Sequence, residues 1–162
     1  MGTYDGTDSV TVKATNSSSS SATDTASTSV TNSVTNSDYN GRNSGYWASI
    51  SIGSGLSAGG GSATVSASAG HTHTYYYLWC SGSTSGPYTS SVSDSVTWSI
   101  TSNGHSRFSK SGNTLYHDSM GTYVGSDSVT VKATNSSSSS ATDTDSKTIY
   151  NEVTNSDYSG SN

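Results

Sequence analysis

The chain has 162 residues, only 10% of them charged and 28% hydrophobic, with six Lys and Arg against eleven Asp and Glu and a formal charge of -5. So few cations argue against a nucleic-acid partner, which would need clustered positive charge against the phosphates. No apolar run approaches the length that spans a bilayer, so no membrane insertion is expected, and the single cysteine, Cys80, rules out an intramolecular disulfide.

In chain order, the first readable element is Ser9 to Asn16, where Val10, Val12 and Ala14 alternate with Thr11, Lys13 and Thr15. A period of two places a small apolar stripe on one face and polar groups on the other, as in a half-buried strand. A run of five serines (Ser17 to Ser21) separates it from the β-prone segment Ala22 to Val34, and the two are expected to form a hairpin. Thr35 to Gly45 is rich in turn formers (Asn36, Asp38, Asn40, Gly41, Asn43) and is expected to be a boundary between domains. Ile50 and Ile52 then share a strand face, and Ala63, Val65, Ala67 and Ala69 alternate strictly.

Thr72 to Ser81 is the most apolar stretch, with Tyr75, Tyr77 and Trp79 on one face and Tyr76, Leu78 and Cys80 on the other. Cys80 is expected to be a structural, unreactive thiol, since it follows Trp79 and has no cation nearby in sequence. Gly82 to Ser95, with the only proline, Pro87, reads as a polar loop. Val96, Trp98 and Ile100 form the next strand with Trp98 as core anchor, and Gly112-Asn113 reads as the turn of a hairpin between Phe108–Ser111 and Thr114–Tyr116.

The strand Ser9 to Asn16 then returns, letter for letter, as Ser128 to Asn135. Extended outward, residues 1–43 match residues 120–162 without a gap at an offset of 119, identical at 33 of 43 positions. A period of this size is one whole domain rather than a solenoid unit. The expected organisation is the C-terminal third of a preceding repeat with its linker in 1–43 and one complete repeat in 44–162. The register suggests a fragment of a longer protein. Seven or eight short strands with no helical periodicity point to an all-β antiparallel sandwich.

The order Val96-Thr97-Trp98-Ser99, the hairpin around Gly112, the approach from Gly121 to Gly125 and the strand Val129 to Thr134 resemble bacterial immunoglobulin-like (Big) repeats over roughly residues 46–158. The resemblance implies an immunoglobulin-like sandwich with a spacer or adhesive role in a bacterial surface or phage structural protein. It implies neighbouring repeats as partners and a place outside the cell, on its surface or in a virion. It carries over no catalytic residue and no cofactor. The Ser-rich insertions and the long Thr72 to Ser95 segment depart from a compact member.

Several constellations admit plainer readings. His71 and His73 project from one strand face, with His105 and His117 elsewhere, but no carboxylate or Cys stands at ligand spacing, so polar strand-edge or loop histidines are preferred to a metal site. Asp38, Asn40 and Asp157 at the repeat junction are too few for calcium. A Ser, His and Asp triad could be assembled on paper from so many serines, a coincidence this composition makes ordinary, so no nucleophile is expected. Lys132 falls on the polar strand face, which disfavours an isopeptide bond, and Asn16 and Asn135 match the N-glycosylation pattern without expected consequence in a bacterial protein.

The reading that results is non-enzymatic, without cofactor or metal. The alternative is a carbohydrate-binding module with Tyr75, Tyr77 and Trp79 as glycan contacts, against the plainer expectation that a Ser-rich domain uses its few large residues as core. The strands within Val10 to Val34, lacking partners of their own, are candidates for self-association.

Overall fold

The computed structural model describes residues 4–152. The fold is all-β, with strands β1 (Gly6–Asn16), β2 (Ser19–Asn32), β3 (Val34–Ile52), β4 (Gly61–Trp79), β5 (Thr84–Asp94), β6 (Val96–Asn103), β7 (Phe108–Ser111), β8 (Thr114–His117), β9 (Gly125–Asn135) and β10 (Ser138–Asn151). A single 3-10 turn, Gly104–Ser106, is the one helical element among the described residues. The chain divides into two compact units: residues 1–43 with 73–90, and residues 44–72 with 91–162. The division at 43/44 falls where the repeated segment ends. Residues 73–90 group with residues 1–43 rather than with the rest of 44–162.

The second unit has the construction of a two-layer sandwich. One antiparallel sheet has the order β10-β9-β6, and β3, β4, β8 and β7 follow in that order in the other, with β5 paired to β4. Trp98, Val129, Val131, Ala133 and Ile149 come inward from the first sheet and meet Ile50, Val65, Phe108 and Leu115 from the second. The alternation in β9 is complete: Asp127, Val129, Val131, Ala133 and Asn135 are all buried, and the residues between them are not. The expected strand at Val96 to Ile100 and the hairpin at Gly112 are present. Gly112 has φ 54°, a region that a residue without Cβ enters freely, and Ser111 pairs with Thr114 across the turn. Lys110 stretches over Trp98, its Nζ 4.2 Å from the ring centre and donating to the Trp98 carbonyl at 2.7 Å.

In the first unit, β1 and β2 form the expected hairpin. Its register, Val10 opposite Thr28 and Val12 opposite Ala26, is that of β9 and β10, where Val129 is opposite Lys147 and Val131 opposite Asp145. Identical strands therefore fold identically, yet their surroundings differ. Val10, Val12 and Val30 are exposed, whereas Val129, Val131 and Ile149 are buried.

Three local expectations are corrected. Thr35 to Gly45, rich in turn formers, is not a run of turns but part of the continuous strand β3, because pairing with β4 overrides local turn preference; the division at 43/44 lies within it. Its turn formers survive as irregularities: Asn40 and Gly45 have φ 53° and 60°, and the Asp38 N–H donates to Asn36 Oδ1 at 2.9 Å. Gly82 to Ser95 is mostly the strand β5 and not a loop. Cys80 is exposed in the turn after β4 and does not continue the strand face of Tyr76 and Leu78. That turn is closed by the Gly82 N–H donating to the Trp79 carbonyl at 2.9 Å.

Candidate functional site

The aromatic residues of β4 and β5 build the most site-like feature, within the first unit. Alternation along β4 brings Tyr75 and Tyr77 to one face, their ring centres 5.7 Å apart, and β5 adds Tyr88 at 5.8 Å from Tyr75 and 4.9 Å from Tyr77. These rings are tilted by 35° to 46°, so they offer a faceted surface instead of one flat platform. His73, also on this face, stacks on Tyr75 at 5.7 Å with an 18° tilt. It is held at both nitrogens, by Asn43 Oδ1 at 2.5 Å and Asp38 Oδ1 at 2.7 Å. Ser37, Asp38, His73, Tyr75 and Tyr77 line an open groove of about 370 Å³. The hydrogen bond with Tyr77, and then its charge, raise the Tyr75 phenol above its ordinary range.

Trp79 does not join this surface. It is buried, with Nε1 donating to Ser85 Oγ at 3.1 Å, and the Tyr88 hydroxyl reaches the same oxygen at 3.3 Å. Of Tyr75, Tyr77 and Trp79, the two tyrosines thus line the groove and Trp79 is buried against Ser85. Composition alone could not separate these roles; only the turn at Cys80 and the pairing of Ser85 settle them.

His71 and His73, on one strand face, take separate carboxylate partners. His71 bonds Asp94, with Nδ1 at 2.9 and 3.0 Å from the two carboxylate oxygens, while His73 bonds Asp38. Among the described residues no group of three or more His, Cys, Asp or Glu is arranged to hold a metal ion. Asp157, the repeat counterpart of Asp38, lies outside the described residues.

Two buried polar nodes in the second unit escaped the sequence reading. At one end of β9, Asn135 donates through Nδ2 to the carbonyls of Trp47 and Gly70, both at 3.1 Å, and to Asp94 Oδ2 at 2.8 Å. Its Oδ1 accepts the Ser137 N–H at 2.7 Å, so this asparagine is a buried structural element and no glycan acceptor. Hydrogen bonds from His71 and then Asn135 hold the Asp94 carboxyl below its usual range despite partial desolvation. At the other end, Asp127 receives Arg107 Nη1 at 2.9 Å and His105 Nδ1 at 3.0 Å, with His117 Nε2 at 3.4 Å. Burial pushes Asp127 upward, and the bonds from Arg107, His105 and His117 outweigh it, leaving the carboxyl low. His117 is fixed from behind by donating Nδ1 to the Ser57 carbonyl at 2.8 Å. The available signal was parity: Asp127 and Asn135 lie on the same strand face as Val129, Val131 and Ala133.

Each of these carboxylates accepts hydrogen bonds from three side chains, as buried polar groups in a packed core do. No family model, no curated protein and no solved structure matches the chain.

Proposed function

We propose that the chain is a non-enzymatic spacer of immunoglobulin-like repeats from a bacterial surface or phage structural protein, acting by projecting or decorating rather than by chemistry. The observation that carries this reading is the return, after 119 residues, of a segment that folds into the same hairpin register. A chain that reuses a domain-sized unit gains length with each copy, and a Ser- and Thr-rich surface of low charge suits an extended, solvated stalk. Its partners are then neighbouring repeats, and its place is outside the cell or on a virion. The test is solution scattering from chains lengthened by one and two further 119-residue periods. The maximum dimension should grow by a constant increment per period, and compaction without growth would contradict the reading.

A second reading, a carbohydrate-binding module, is favoured by the groove of Tyr75, Tyr77 and His73 with its polar rim of Ser37 and Asp38. Trp79, tied to Tyr88 through Ser85, is a built-in reporter. A saturable change in tryptophan fluorescence on titration with oligosaccharides, abolished by Tyr75→Ala with Tyr77→Ala, would favour this reading over a spacer.

A further inference from the structure

We propose that the exposed face of the β1–β2 hairpin is a docking surface for a second copy of residues 44–119. Cross-strand partners place Asp8, Val10, Val12 and Ala14 on the same face as Val30, Thr28, Ala26 and Asp24. This leaves Val10, Val12 and Val30 at 55%, 60% and 53% exposure, a continuous apolar stripe in a protein with few apolar residues to spare. What covers such a stripe is visible in its twin. Strand β6 pairs along β9, with Trp98 opposite Ala133 and Ile100 opposite Val131, and the core of residues 44–119 closes over Val129 and Val131.

The polar ends of the stripe point to the same occupant. Asp8 is the counterpart of Asp127, whose carboxylate is held by Arg107, His105 and His117, all within residues 44–119. Asn16 is the counterpart of Asn135, whose amide is held by Trp47, Gly70 and Asp94, again all within that segment. An open groove of about 470 Å³ lies beside Asn16, lined also by Ala14, Thr15, Ala22, Thr23 and Asp24. A copy of residues 44–119 thus brings a strand edge, an apolar face, cations at one end and acceptors at the other. Each is in register with what the bare hairpin presents. The one copy within this chain is already occupied by β9 and β10, so the second must come from an additional repeat. The inference rests on the tandem-repeat reading and deepens it: neighbouring domains would be joined by a hairpin that completes one and leads directly into the next.

The test is to fuse a second copy of residues 44–119 ahead of residue 1 of the full chain and follow amide hydrogen exchange by NMR, alongside the parent chain. Exchange at Val10 to Ala14 should slow on the order of 100-fold relative to the parent, toward the rates at Val129 to Ala133, as the hairpin moves from a local to a global opening. Val12→Asp in the extended chain should abolish the gain while leaving Val129 to Ala133 protected. Exchange at Val10 to Ala14 that stays at the parent rate, whether the added copy folds or not, overturns the proposal, as does protection that Val12→Asp does not disturb. An extended chain that lengthens by the constant increment while Val10 to Ala14 stay open refutes the shared hairpin and leaves the spacer reading standing.

Discussion

Val12 and Val131 occupy the same position in an eight-residue stretch that β1 and β9 share letter for letter, in hairpins of the same register, and Val12 is 60% exposed while Val131 is 0% exposed. Local sequence dictates the strand and its pairing; it does not dictate burial. Burial comes from β6 and the opposing sheet, which are present at only one of the two hairpins.

The core of the second unit is lean, and Trp98 is its largest side chain. Trp98→Ala should cost about 3 to 5 kcal/mol, the usual range for a buried aromatic deletion. Urea unfolding followed by circular dichroism measures this, and a loss below about 1 kcal/mol would show that Trp98 is not a core anchor.

Acid should destabilise the second unit through Asp94 and Asp127. Both carboxyls are lower in the folded protein than in the unfolded chain, so the stability they contribute is fully present above about pH 4, the ordinary Asp range, and is lost as pH falls through their folded values. Urea midpoints compared at pH 6, 4 and 3 should fall most steeply below pH 4. Asp127→Asn should flatten that fall, since its proton uptake is removed, and should also lower stability at pH 6 because Arg107 loses its ion pair.

Cys80 should react with a maleimide under native conditions. Its side chain is exposed, even though its Sγ donates to the Thr31 carbonyl at 3.2 Å and accepts the Ser33 N–H at 3.3 Å. Labelling that requires denaturant would place the thiol in a covered site instead.

How far the sequence could be read depends on what decided each feature. Trp98, Val129 and Val131 were legible as core because a strict period of two marks the inward face. The hairpin turn at Gly112 was legible because it depends on a positive φ that few residues adopt. Thr35 to Gly45 was not, because its Asn and Gly residues favour turns locally, and only the partner strand β4 makes them part of a ladder. Cys80 misled for a related reason: two residues of alternation carried past Trp79 suggest a strand, but the chain has already turned. In the aromatic groove, Tyr75 and Tyr77 followed from alternation. The roles of His73, Asp38 and Asn43 depend on contacts between residues at least thirty positions apart.

The central claim is that a single repeated strand is a core element in one place and a bare face in the other, and paired charge substitutions test it most directly. Val131→Asp should bury an unpaired carboxylate and cost about 3 kcal/mol or more, enough to unfold a lean domain. Val12→Asp, the same change in the same strand sequence, should shift stability by less than about 0.5 kcal/mol. Equal losses at the two positions, measured by urea unfolding, would contradict the account.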